Sequence, residues 1–524
     1  MSTDTAAAPT ARTGRLSERR LVVIAAAVIY LAAAYWFWHH QVLPGDAVSR
    51  VANAYYVLYS RDPHLAAIGF VWNPLPSLIF LPFLPLGQII PGLISNQSPL
   101  APLVSAVMTI ATVAVAHDVL RRIGLGRVPR LVLTAALALH PLILIYGGNG
   151  MSEALFLFLL MLAVRSMHRW LAENRVEQLV PLGLALALAY GARYEALAPA
   201  AAVTVVVAGV TWWRTRQWAL ARADAVLVGL PPFLAVALWA LAGKVIVNQW
   251  FATFSSQYGN STQVKNSATD IASATGGDLG GRTAYWLEQL LGLSPFALVL
   301  AVFAMVVCWQ RQRLTALAPI AVLGSVLAFD GLAFLSGTSF GWLRFNITVV
   351  PLGVLLAGHV AAHLSVHRRQ VNVAAALTMA VMAIPATLLV LDRPRLARGE
   401  TDWATTAGAE GRQRQARFHE RVAADLDAMD LPDGAVVTDA QYAFELVLAS
   451  NHPRQFVITP DRDFPAVVAD PAGHRARYLL LSASGVDDAV RTLRFGRDFA
   501  AVPTDGVRVW RDAAGAVQWT LVPV

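Results

Sequence analysis

The chain is short of charge. Of its 524 residues, 14% are Asp, Glu, Lys or Arg, against roughly 25% in ordinary soluble domains. A soluble globular enzyme is excluded by that deficit together with a mean hydropathy of +0.52. Lysine is nearly missing, at Lys244 and Lys265 alone, so arginine carries the excess of 41 basic over 33 acidic residues. Such Ala- and Arg-rich, Lys-poor usage fits a GC-rich bacterium. Cysteine occurs once, at Cys308 inside an apolar run, which excludes an intrachain disulfide and a thiolate metal site. A Gly-rich phosphate loop is missing from the C-terminal region. No internal repeat is visible, which weakens a transporter built from duplicated halves.

The sequence instead holds apolar runs of bilayer length, separated by short arginine clusters. These clusters do not form one polar face, so they set orientation rather than bind nucleic acid. Arg19-Arg20 flanks the first run, which puts the N-terminus in the cytoplasm. The run closes with Trp36, Trp38, His39 and His40, and reads as an uncleaved anchor rather than a signal peptide. Arg121/Arg122/Arg127/Arg130, Arg165/Arg169, Arg214/Arg216/Arg222, Arg311/Arg313 and Arg368/Arg369 are all cytoplasmic if about eleven transmembrane helices are counted. These lie near 21–40, 99–120, 130–147, 151–170, 179–192, 196–213, 223–247, 284–309, 315–336, 344–365 and 371–391, with 179–192 the shortest.

The expected fold is thus an α-helical polytopic protein of the plasma membrane. A cytoplasmic tail covers 1–20, a transmembrane domain 21–392, and an extracytoplasmic soluble α/β domain 393–524. The last of these holds more than half of the acidic residues, and strands are predicted at 435–438, 456–458, 478–481, 507–510 and 519–522, with a helix at 442–449. Two long outer loops are expected, at about 41–98 and 249–283, the second a candidate lid. Within the first, Pro74, Pro76, Pro82, Pro85 and Pro91 break an apolar stretch that would otherwise count as a span. Also within it, Val48, Val51, Ala52, Tyr55, Leu58 and Tyr59 recur at helical spacing opposite Ser49, Arg50, Asn53 and Ser60, the pattern of a helix lying flat on the outer leaflet.

In this layout Asp46, Glu153, Arg193, Glu195 and Arg344 all fall at outer ends of spans, where ionisable groups need partners or a wet cavity. Each also has a plainer reading. Asp46 is placed to N-cap the loop helix. Glu153 sits in a first turn, where the helix dipole favours an acid. Arg193 can pair with Glu195 or snorkel. Arg344 opens a span at the dipole's positive end, which repels a cation, so something negative is expected beside it: a headgroup, Glu195 or a substrate phosphate. His140, before Pro141, reads as the histidine of a proline kink, and His64 as a turn residue. With Tyr55 they complete the candidate substrate-binding set.

Four short motifs then carry a resemblance. Gly45-Asp46 follows the first span, and Trp72-Asn73-Pro74-Leu75-Pro76 lies in the first loop. Ser152-Glu153-Ala154-Leu155-Phe156 opens a span, and Arg344-Phe345 precedes Pro351. Over about residues 20–392 the pattern resembles the GT-C superfamily of membrane glycosyltransferases, which includes protein O-mannosyltransferases, lipid A aminoarabinose transferases and actinobacterial cell-wall arabinosyl- and mannosyltransferases. The resemblance implies a sugar donor on a polyprenyl phosphate and an envelope glycan, lipid or protein as acceptor. It also implies Asp46 as general base, Arg344 on the leaving phosphate, and inversion at the anomeric carbon. Many relatives pair two acids in the first loop, whereas Ala47 follows Asp46 here, so Glu153 is the candidate second carboxylate, orienting the base or holding a divalent cation (Mg or Mn) with Asp46. The Trp-Trp-Asp motif of oligosaccharyltransferases is absent, Trp212-Trp213-Arg214 lying on the cytoplasmic side. The competing readings are a transporter or flippase of a lipid-linked or anionic substrate, and a non-catalytic envelope-assembly protein.

Overall fold

The computed structural model describes residues 17–256, 258–311, 313–363, 369–400, 405–483, 487–495 and 506–524. Most of the expected cytoplasmic tail (1–16), and Arg368 of the last basic cluster, lie outside the described residues. Among the described residues, eight helices are long and apolar enough to cross a bilayer: Glu18–His39, Leu100–Arg122, Glu153–Glu173, Tyr194–Thr215, Trp218–Val247, Leu314–Leu335, Leu343–His363 and Gln370–Leu391. The chain therefore has the build of a polytopic α-helical membrane protein.

Three further expected spans are helical but not simple rods. Arg127–Ala138 and Pro141–Gly148 meet at 58°, and Leu279–Leu293 and Ala297–Gln310 at 71°. Proline marks both breaks, at Pro141 and Pro295, because it deletes a backbone donor and disfavours helix at the preceding residue. Val176–Ala192 is apolar but short. The proline-rich stretch of the first loop forms a short α-helix, Leu75–Phe80, running into a 3-10 helix, Leu81–Gln88, as five prolines dictate.

Polar clusters gather at the two ends of the bundle. At one end Glu18 pairs with Arg127, Arg130 and His117, and Asp118 with Arg121, Arg122 and Arg165. Glu153, Arg193 and Arg344 stand at the opposite ends of their helices, with the two outer loops and the C-terminal region.

The C-terminal region folds as expected in its elements. Strands β1 (Val436–Thr438), β2 (Phe456–Ile458), β3 (Tyr478–Ser482), β4 (Arg508–Arg511) and β5 (Val517–Pro523) form one sheet in the order β2-β1-β3-β5-β4. The first three are parallel, and β5 and β4 continue antiparallel. Side chains alternate between two cores. Val436, Phe456, Ile458 and Leu480 meet Phe418, Val422 and Trp519 on one face, while Val437, Val457, Leu479 and Leu481 meet Phe464, Val467 and Val490 on the other.

The first of these cores is not closed by the C-terminal region alone. It continues into Phe37, Leu43, Val48, Ala52 and Tyr56, so the loop helix Gly45–Tyr59 supplies part of it. The opposite face of that helix, Ala47, Val51 and Ala54, belongs to the core of the helical bundle. This corrects the expectation of a helix with one face on lipid and the other in water. Leu58 is exposed and Arg50 is buried, the reverse of the assigned pattern. Ion pairs tie the same contact, Arg61 with Asp461 and Asp463 and Arg462 with Asp62, and Arg412 donates across it to Leu43 O.

Candidate functional site

Five sequence-selected groups form one network. Arg193 ends Leu179–Ala192 in an extended conformation, which turns its side chain toward the start of the neighbouring span. It donates from Nη1 to Glu153 Oε1 at 2.6 Å, and from Nη2 and Nε to Glu195 Oε1 at 2.5 and 3.1 Å. Arg344 donates from Nη2 to Asp46 Oδ2 at 3.2 Å, and its Nε lies 3.6 Å from Glu153 Oε1. Glu153, its side chain 1% exposed, therefore sits between two guanidinium groups, while Asp46 at 34% faces open space.

Local sequence explains these placements. Gly150 adopts φ +88, and a Cβ there would fall 2.7 Å from Ala101, so only glycine allows the turn that starts the Glu153 helix against the bundle. Asn149 Oδ1 accepts from Met151 N within the same turn. Gly341, at φ +66, packs so closely on Phe334 that a Cβ would lie 2.2 Å away, and the turn it makes delivers Trp342 and Arg344 together. The Arg344 guanidinium lies 4.1 Å from the Trp342 ring centroid. Asp46 does not cap its helix: Pro44 occupies the N-cap position, no side chain caps it, and the carboxylate turns to Arg344.

Two cavities meet at Asp46, Phe340, Trp342 and Arg344. The outer one, about 370 Å³, is further lined by Ser267, Asp270, Thr275, Tyr285 and Arg398. The inner one, about 60 Å³, has space for a few waters or one small polyatomic group, and is lined by Arg50, Trp72, Arg193, Glu195 and Tyr258. Asp46 is the one carboxylate among the described residues that borders both. Beside the inner cavity, and sharing Tyr194 and Thr253 with it, runs an aromatic crevice of Phe70, Tyr190, Trp239, Trp250 and Phe254.

Segment 249–283, the candidate lid, forms three short helices over this site: Ala252–Ser255, Asn260–Asn266 and Ala268–Thr275. Tyr258 Oη donates to Asp439 and Asn266 Nδ2 to Asp487, which ties the segment to the C-terminal sheet. Burial raises the Asp439 carboxyl above its usual range, although Tyr258 and the backbone N–H groups of Gln441 and Ala489 oppose this.

The other selected residues lie elsewhere. His140 accepts its place at the kink, its Nε2 within 3.1 Å of Leu293 O and 3.0 Å of Thr387 Oγ1. His64 holds its own turn, Nδ1 against Asp62 O at 2.7 Å, beside the Asp62–Arg462 pair. Tyr55 packs on Tyr59 at the border with the C-terminal region, away from Asp46 and Arg344. Asp46 and Glu153 are both engaged by arginines, and among the described residues no three His, Cys, Asp or Glu side chains gather as a metal site requires. Among the side chains that line the two cavities, the cationic ones are Arg50, Arg193, Arg344 and Arg398.

Three groups near the network escape the sequence reading. Arg50 lies one turn beyond Asp46 and lines the inner cavity. Asp330, a buried acid within an apolar span, feels the charges of Arg193 and Glu195. Glu400 accepts from Tyr146 Oη at 2.6 Å, and burial raises its carboxyl above the usual range. A lone acid in an apolar run was the available signal for Asp330, as was the i+4 spacing from Asp46 for Arg50.

No protein-family model matches the chain, and no curated protein matches its sequence.

Proposed function

We propose that the chain is an integral membrane glycosyltransferase that moves a sugar from a polyprenyl-phosphate donor to an acceptor hydroxyl, with inversion. The observation that carries this reading is the position of Asp46, bordering both cavities and 3.2 Å from Arg344. A base that removes a proton from an acceptor in one compartment, while a cation receives charge leaving in the other, needs that placement. Phosphate is a good leaving group, so a guanidinium suffices where a poorer one would need an acid. Trp218–Val247, whose Trp239 and Gly243 pack beside the inner cavity, has most of its side chains exposed, and supports a lipid-linked donor approaching from the bilayer.

In this reading Glu153 and Glu195 fix Arg193 and, through Glu153, the Arg344 side chain, and Glu153 is a positioning residue rather than a second base. Segment 249–283 and the C-terminal region close over the acceptor side and exclude water. The topology proposed with it has eleven membrane segments in the plasma membrane, a cytoplasmic N-terminus and an extracytoplasmic C-terminal domain. It is supported by the collection of arginine clusters at the bundle end away from Asp46. The acceptor is an envelope glycan, lipid or protein.

The test is release of polyprenyl phosphate and sugar transfer by the purified protein from a panel of polyprenyl-phosphate sugars. The reading predicts transfer that depends on Asp46. A protein that instead moves intact lipid-linked sugar between leaflets, with no cleavage of the sugar–phosphate bond, would be a flippase.

A further inference from the structure

Of the three arginines around the inner cavity, two are matched. Arg193 pairs with Glu153 and Glu195, and Arg344 with Asp46. Arg50 is 5% exposed, yet among the described residues it makes no hydrogen bond or ion pair, and its Nε and Nη1 are buried without a partner. Its guanidinium rests 5.2 Å from the Trp72 ring centroid, within the Trp72-Asn73-Pro74 motif. A buried guanidinium without a counter-charge is costly, because desolvation is not offset. Burial pushes Arg50 down to about 10, and Arg193 and Arg344 repel it while Asp46 and Glu153 attract it from a distance. Neutral donors of the cavity are engaged: Asn73 Nδ2 donates to Tyr190 O, Asn260 Nδ2 to Thr338 O and Gln263 Nε2 to Tyr258 O. Arg50 therefore adds to this lining cationic N–H groups that have no partner of their own.

We infer that Arg50 and Arg344 together form a binding site for a phosphate group in the inner cavity, with Trp72 holding the plane of the Arg50 guanidinium. Phosphate suits two guanidiniums better than a halide or a single carboxylate does, since its several oxygens take paired N–H donors from each. The inference rests on the reading of a phosphate-linked donor and adds a second anchor to it, on the element that carries the base. The phosphate can come from a lipid or from a free ion, and the two sources are separable by experiment.

The full-length protein in detergent is titrated with geranylgeranyl phosphate, geranylgeraniol and inorganic phosphate, for the wild type, Arg50→Met and Arg50→Lys. The wild type is expected to bind the lipid phosphate and not the alcohol at equal concentration. Arg50→Met should weaken that binding by about tenfold or more, and Arg50→Lys should fall between, since it keeps charge but not the paired donors. Competition by inorganic phosphate supports a site for the group itself, and binding of the lipid phosphate alone supports a lipid source. The ligand-free Arg50→Met protein should melt no lower than the wild type, because the lost charge had no partner. Equal affinity for alcohol and phosphate, or unchanged affinity in Arg50→Met, overturns the site. Should Arg50→Met fail to fold, wild-type affinity in Arg50→Lys overturns it. Arg50-dependent binding in a protein that transfers no sugar would keep the site and remove the glycosyltransferase reading. Sugar transfer that is indifferent to Arg50 would do the reverse.

Discussion

Arg344 reaches Asp46 across 298 positions of sequence, Nη2 to Oδ2 at 3.2 Å, and it does so where two cavities join. In the proposed reaction the pair is a resting contact: the guanidinium exchanges the carboxylate for the donor phosphate, and Asp46 is freed for the acceptor hydroxyl.

Substitutions at Arg344 separate a clamp from a charge. Arg344→Lys keeps the charge but loses the two-pronged geometry, so affinity for a polyprenyl phosphate should drop markedly, and Arg344→Ala should lower it further. Equal affinity in wild type, Lys and Ala, compared at one salt concentration, would take Arg344 out of the site.

Arg193 should be chiefly structural. Arg193→Met strands Glu153 and Glu195, whose side chains are 1% and 3% exposed, and breaking a buried pair costs about 3–5 kcal/mol. Thermal unfolding in detergent should show a clear fall in Tm, in contrast to Arg50→Met. A Tm near the wild-type value would mean that the network carries little of the fold's stability.

These contrasts show what the sequence reveals and what it conceals. Asp46, Glu153, Arg193, Glu195 and Arg344 stood out because each is an ionisable residue at the edge of an apolar run, where the cost of burial makes it conspicuous. Arg50 did not, because amphipathic spacing assumes that one face of a helix meets water. The helix Gly45–Tyr59 is covered on both faces, by the bundle and by a C-terminal core that includes Phe418, Val422 and Leu446. His64 and Tyr55 looked equally available in the first loop, and only tertiary contacts send them to the C-terminal border. The strands of the last region were legible from β-branched runs and turns, but their parallel order is set by long-range pairing that local pattern does not encode.

The border itself should be pH-sensitive from the acid side. Hydrogen bonds from Arg462 hold the Asp62 carboxyl well below its usual range, so the stability it adds is present at neutral pH and is lost as pH falls through its folded pKa. Asp62→Ala should remove that acid-dependent loosening, and hydrogen exchange of residues 456–463 should rise at neutral pH. Exchange unchanged from the wild type would leave the pair without a docking role.

Asp488 acts in the opposite sense. Burial, then the charge of Asp439, raises its carboxyl to about 7, although it accepts from the backbone N–H groups of Val490 and Arg491. The folded protein keeps this proton while the unfolded chain releases it near 3.8, so stability falls as pH rises from about 4 to 7 and stays reduced above. Asp488→Asn retains a capping side chain without the charge and should raise Tm at pH 8 more than at pH 5. An equal change at both would show that the Asp488 carboxyl does not titrate between pH 5 and pH 8, against this account.

The central claim meets its most direct test in Asp46→Asn. The amide preserves size but cannot take the acceptor's proton, so a general base predicts a loss of transfer of about 10²-fold or more. Purified wild-type and Asp46→Asn protein, each given the same polyprenyl-phosphate sugar and acceptor, are compared for sugar transferred, with donor binding measured alongside. The account predicts that donor binding survives and transfer collapses. Near-normal transfer by Asp46→Asn would contradict it.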